Sequence, residues 1–337
     1  MDKKTKTTLI IALSLFGAGI IIWLCVSMSI HFDYAKLSAD FRNGGSSETS
    51  TKTEHIDKNI EATGQDITLD LSSADVTVTP SSDDMIHLSY DNSENCYFEL
   101  KDDASELTLK QELSGGFFFG FLHLQETHVN VTLSIPTGHE GTLNISGASS
   151  EISISDIDIS GSFGIYSVSG KISIENCKTK DVQTGNTSGG IELTSVETDN
   201  IKAESVSGEL RVSEIKKSIP IELASVSGGV YAENVKASNL GIETISGHVS
   251  LRSAAGQKVS FSTTSGAVEL ESADFREITF NTVSGDIRGT VSGSAEDYTV
   301  YSDTVSGSNN LSSLRGHGER TIDLSSTSGS FDISFEK

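Results

Sequence analysis

The chain of 337 residues carries 24 Lys and Arg against 47 Asp and Glu, a formal charge of −23. That balance argues against nucleic acid as a partner, because nucleic-acid surfaces are met by basic ones, and against direct docking on anionic lipids or phosphate polymers. It leaves cations or cationic peptides as candidate partners, beside the ordinary role of acidic faces in keeping a protein soluble.

Residues 1–7 form a short tail in which Lys3, Lys4 and Lys6 stand against Asp2. Residues 8–30, TLIIALSLFGAGIIIWLCVSMSI, hold no charge over 23 positions, more than the roughly 20 that a membrane-spanning helix needs. By the positive-inside rule the Lys-rich tail stays in the cytoplasm. A cleaved signal peptide is the competing reading, but its apolar region runs only about 7 to 15 residues and ends in a small-residue cleavage site. Bulky Trp23 and Leu24 also precede Cys25, where a lipoprotein cysteine needs small neighbours. The reading is an uncleaved, single-pass signal-anchor in the cell membrane, with the C-terminal domain extracytoplasmic. The first thirty residues contribute three Lys and one Asp, so −25 of charge lies beyond them.

Residues 31–60 read as a flexible stalk, since RNGGSSETSTKTE has no apolar periodicity. Residues 61–140 are β-rich but irregular: ITLDL, DVTVTP, MIHLSY, CYFEL, ELTLK and HVNVTLSIP alternate in the manner of strands. They are read as degenerate first coils and a cap, because an open sheet end invites aggregation. Within them GGFFFGFL places Phe117, Phe118, Phe119 and Phe121 together. This segment either packs over the end of the following domain or forms an apolar contact with membrane or a partner.

Residues 141–337 repeat. Ser-Gly pairs recur with glycines at Gly147, Gly170, Gly189, Gly208, Gly228, Gly247, Gly266, Gly285, Gly307 and Gly329, spaced 19 to 23 residues apart. A period near 20 with strand-like phrases signals a solenoid, in which one coil cannot bury its apolar face alone. Counted from each glycine, positions +2 and +4 are apolar (Ile172 and Ile174, Ile191 and Leu193), position +7 is small or apolar (Cys177, Val196, Ile215), and +12 and +14 are apolar again (Val259 and Phe261). Period-two alternation in β-branched residues predicts two short strands per coil, each with one buried face. The residue two before each glycine after the first is Val, Ile or Thr. Those one and three before are Ser and Ser, Thr or Asn. The two polar columns are expected to form ladders about 4.8 Å from rung to rung, and the glycines to be structural corners that need either positive φ or room without a Cβ. A flat Thr/Ser surface binding ice or glycan is the alternative. Ten coils make a rod about 48 Å long at strand spacing.

Cys177 occupies an inward +7 position and is expected as a buried thiol rather than a disulfide partner of Cys96. An enzyme of the polysaccharide-cleaving β-helix kind would draw on Asp156, Asp158, Glu192, Glu209, Arg211, Glu269, Asp286 and Arg288, yet no position repeats as an acidic cluster in neighbouring coils. The eight histidines are scattered; His123 and His128 flank Glu126 at a spacing that matches no zinc motif. No catalytic, cofactor or metal site is assigned.

The Lys-bearing tail, the single apolar span and the repeated [S/T]-x-S-G-x-[I/V]-x-[I/V/L] phrase together resemble the "putative adhesin" β-strand-repeat family, over residues 60–337. Its members include membrane-anchored proteins of Lia-type envelope-stress operons in Gram-positive bacteria. The resemblance implies an envelope-stress or adhesin-like role and supplies no catalytic residues. The expectation is therefore an all-β, parallel β-helix-like solenoid behind one transmembrane helix, acting as a non-enzymatic surface for envelope proteins or wall polymers; the alternative is a carbohydrate-active enzyme.

Overall fold

The computed structural model describes residues 53–93, 96–113, 129–312, 314 and 316–336. The tail, the 8–30 segment, most of the linker and the phenylalanines at 117–121 lie outside the described residues. Among those described, no helix is long and apolar enough to cross a membrane.

Among the described residues, twenty-three strands form one continuous stack. The N-terminal part contributes β1 (Glu54–Glu61), β2 (Asp66–Leu71), β3 (Ala74–Pro80), β4 (Met85–Asn92), β5 (Cys96–Asp103), β6 (Glu106–Leu113) and β7 (Val129–Ile135). The regular coils run through β8 (Leu143–Gly147), β9 (Ile152–Ser155), β10 (Phe163–Ser167), β11 (Ile172–Glu175), β12 (Asp181–Asn186), β13 (Ile191–Thr194), β14 (Asn200–Ser205), β15 (Leu210–Ser225), β16 (Val230–Thr244), β17 (Val249–Arg252), β18 (Ala255–Thr263) and β19 (Val268–Thr282). β20 (Ile287–Ser292), β21 (Tyr298–Thr304), β22 (Arg320–Ser326) and β23 (Phe331–Glu336) complete the chain.

Strands after each glycine corner stack in parallel as one face, and strands before it as the other. Registration is like on like. Ile172 pairs with Ile191, Ile191 with Leu210, Leu210 with Val230, and Val230 with Val249. On the second face Val182 pairs with Ile201, and Ile201 with Ile221. These columns are buried. A one-residue slip would turn every one of them to solvent, so the hydrophobic pattern itself holds the register. The +7 residues are buried too, from Cys177 and Val196 to Ala273.

In the coils that follow Gly170 to Gly266, the bend after the glycine-side strand is made by a residue at +6 in left-handed conformation. Asn176, Ser195, Glu214, Asn234, Ser253 and Ser272 all have φ between 50 and 57. Asn tolerates this conformation, while Ser195, Ser253, Ser272 and Glu214 bear the usual Cβ penalty.

The two ends depart from sequence order. β2 and β3 stack directly on β8 and β9, and β6 and β7 stack outside them. β4 then pairs antiparallel with β7, β1 with β4, and β5 with β6. The outermost strands are rich in charge, with Glu54, Asp57, Lys58 and Glu61 on β1 and Glu99, Lys101, Asp102 and Asp103 on β5, which blunts both edges. Residues 54–60, read from sequence as the end of the stalk, are thus β1. Its only inward side chains are Ile56 and Ile60, too few to give a visible alternation. At the far end β22 lies between β19 and β21, so the last two coils exchange order on that face.

Candidate functional site

The most regular surface feature is the glycine corner. Its geometry starts from close backbone stacking: a Cβ on Gly208 would run into the carbonyl of Gly189, and one on Gly266 into that of Gly247. None of the corner glycines has positive φ. Of the two reasons for glycine, lack of room is the one that applies.

The residue three before the glycine turns inward. Asn186, Ser225, Thr244, Thr263 and Thr282 are buried. Thr244, Thr263 and Thr282 each accept the N–H of their own corner glycine at 2.8 Å. This is a local three-residue turn rather than a bond between rungs, although Asn186 also donates to Gly170 of the preceding coil at 2.5 Å. The serine one before the glycine is exposed, and here the rungs do connect. Ser207 Oγ donates to the Thr187 carbonyl at 3.1 Å and Ser227 Oγ to that of Val206 at 3.3 Å. The backbone N–H groups of the same serines donate to the same carbonyls.

Between these two columns stands the residue two before the glycine, and it faces outward. Val168, Thr187, Val206, Val226, Ile245, Thr264, Val283, Thr327 and Val305 form a ridge of half-exposed β-branched side chains along the rod. Val168 and Val305, near its two ends, are 40% and 66% exposed. The repeat makes this column visible in the sequence, but not its alternation with the buried −3 residue.

The pattern breaks in two places. Gly147 pairs with Ser167 instead of Gly170, and a Cβ on Gly170 would meet the carbonyl of Ser150. Ser150 therefore takes the corner slot and Gly147 the slot three before it; a Cβ on Gly147 would collide with the Ser150 side chain. The spacing of 23 residues between Gly147 and Gly170 becomes an ordinary 20 when counted from Ser150. The other break is at Gly307 and Gly329, which stack in the order Gly285, Gly329, Gly307.

The carboxylates considered for catalysis are dispersed over several coils, and four of them are engaged in ion pairs. Glu192 meets Lys171 at 2.7 Å, Asp158 meets Lys178 at 3.6 Å, and Glu209 pairs with Arg211. Glu269 pairs with Arg288 and lies 3.5 Å from His248. The Arg288 hydrogen bond, against the opposing effect of burial, holds the Glu269 carboxyl below the usual range, so it is ionised at neutral pH and unsuited to donate a proton. Asp286 accepts the backbone N–H of Ser330 at 2.6 Å, and Asp156 is a left-handed turn residue. Arg211 lies 4.3 Å over the Tyr231 ring. The exposed ion pairs add little to stability.

Among the described residues no three His, Cys, Asp or Glu side chains gather as a metal site. His123, Glu126 and His128 lie outside them. Cys96 and Cys177 are both free and buried. A cavity of about 500 Å³ at the C-terminal tip is lined by Val300, Tyr301, Leu311, Leu314 and Leu324 with Asp303 and Asp323.

The profile of one family, described as Toastrack DUF4097, matches residues 64–218 and again 217–337. The seam falls inside β15, so the two matched parts share one stack. Among solved structures, similarity extends to a putative cell adhesion protein from Clostridium sporogenes (12% identity, 85% of this chain and 100% of that one, TM-score 0.25). It also extends to a putative lipid binding protein from Parabacteroides distasonis (18%, 85% and 97%, TM-score 0.33) and a putative adhesin from Parabacteroides merdae (11%, 85% and 96%, TM-score 0.28). At such TM-scores these likenesses carry no functional weight. No curated protein matches the chain.

Proposed function

We propose that this chain, which belongs to the Toastrack DUF4097 family, is a non-enzymatic, membrane-anchored surface protein whose solenoid stands outside the cytoplasm and presents its sides to envelope proteins or wall polymers. The observation that carries the reading is the corner. The same outward chemistry, a β-branched residue followed by serine, returns in coil after coil, from Val168 to Val305, whereas a catalytic centre needs one unequal place. The anchor rests on the uncharged 8–30 segment and the lysines before it. A role in envelope stress follows from the resemblance and remains part of the proposal.

Incubating the purified full chain with peptidoglycan and acidic polysaccharides tests the non-enzymatic part. No new reducing ends are expected. Their release, and its loss in Glu192→Gln or Glu269→Gln, would contradict the reading and favour a polysaccharide-cleaving enzyme.

A further inference from the structure

We propose that the corner ridge is a self-association surface, along which two copies of this chain lie side by side, parallel and in register. Three observations support it. The ridge is apolar or hydroxylic at every rung although it faces outward, and neither it nor the serine column beside it holds a charge from Val168 to Val305. Neighbouring outward columns do accept charge, as Glu192, Arg211, Glu269 and Arg288 show at +3, so outward strand geometry does not by itself exclude it. The molecule carries −23 overall, and like-charged copies repel wherever acidic faces meet. The uncharged ridge is the line along which that repulsion is least.

The occupant is a second copy because the spacing fits without adjustment. Rungs repeat at the strand separation of about 4.8 Å, so an identical ridge brings each β-branched side chain against its own counterpart along the whole length. Two of the acids that border the ridge are locally neutralised: Glu204 by Lys202 at 2.9 Å, and Glu209 by Arg211. Nine rungs cover about 38 Å, or roughly 400 Å² per copy for a strip one side chain wide, half of the ~800 Å² typical of stable complexes. Pairing of this size needs the high local concentration that tethering in one plane supplies. The parallel direction likewise rests on the anchor proposed above, since both tethers leave from the β1 end.

Single cysteines at Val168, Ile245 and Val305, each in the full chain with Cys25→Ser, test the geometry by oxidation in isolated membranes; Cys96 and Cys177 are buried. All three are expected to give a band of twice the chain mass, at least tenfold stronger than Lys216→Cys or Glu222→Cys on other exposed faces. Adding Val226→Lys and Ile245→Lys to the Val305→Cys chain is expected to weaken its band at least fivefold. Cross-linking no stronger than at the control sites overturns the proposal. So does cross-linking at Ile245→Cys alone, which would mean antiparallel pairing about the middle rung. Fractionation of the same cells reports on the anchor separately. In whichever compartment the chain is found, the ridge cysteines must cross-link to one another for the pairing to stand.

Discussion

Gly329 stacks directly beneath Gly307, its carbonyl filling the space that a Cβ on Gly307 would need, so the last two corners lie in reverse of their chain order. The chain passes outward through β21, turns at Gly307, and returns through β22 into the inner slot beside β19. The N-terminal end does the same with β6 and β2. Both ends are thereby laced by a crossing of the chain, and the coils between them are sequential.

Corner glycines should be intolerant of any side chain. Gly208→Val and Gly266→Val drive a Cβ into backbone, for which we expect a loss of about 2 to 4 kcal/mol in urea unfolding. Gly241→Ala is the contrast: its nearest neighbours would lie at 3.9 and 4.0 Å and its φ is not positive, so a gain of up to about 1 kcal/mol is expected.

The exchange at the first corner predicts a specific coupling. Gly147→Ser alone should cost about 1 to 3 kcal/mol by overpacking against Ser150. Combining it with Ser150→Gly restores the arrangement of Ser167 and Gly170 and should recover most of that loss. A double-mutant cycle with no coupling would refute the assignment of Ser150 to the corner slot.

Inward and outward columns differ in cost. Ile191→Asp and Ile242→Asp place an unpaired charge among buried residues and should lose about 3 to 5 kcal/mol. Glu192→Ala and Lys202→Ala lose only surface ion pairs, at 2.7 and 2.9 Å, and should change stability by less than about 1 kcal/mol.

Cys177 gives a pH signature. Burial pushes its thiol up from 9.0 to about 11. The folded state then retains a proton that the unfolded state releases, so this contribution is fully present below pH 9 and is lost as pH rises towards 11. Alkylation by iodoacetamide at pH 8 should be slow in the folded chain and fast in urea. Equal rates would mean that the +7 column is open to solvent.

Much of this architecture is legible in the sequence, because period-two alternation and the glycine spacing carry it directly: the +2, +4, +7, +12 and +14 columns are all buried. The left-handed residues at +6 are poorly marked in the sequence: Asn176 and Asn234 are the kind of residue such turns favour, but Glu214 gives no such sign. The inward turn of Thr244 and outward turn of Ile245 escaped because both are β-branched and the corner bends the strand phase between them. Stacking order is not contained in a period at all. The spacings of 22 at Gly307 and Gly329 marked an irregularity, but only the pairing of β22 between β19 and β21 shows it to be an exchange.

The placement proposed for this solenoid is outside the cytoplasm, on an uncleaved anchor. Protease added to intact, wall-stripped cells that express the full chain with a C-terminal tag measures it directly. The tag is expected to be lost while cytoplasmic markers survive, and without protease the tagged chain is expected to stay at full mass in the membrane fraction. A tag protected until the cells are lysed, or a chain shortened by its first thirty residues and released to the medium, would contradict it.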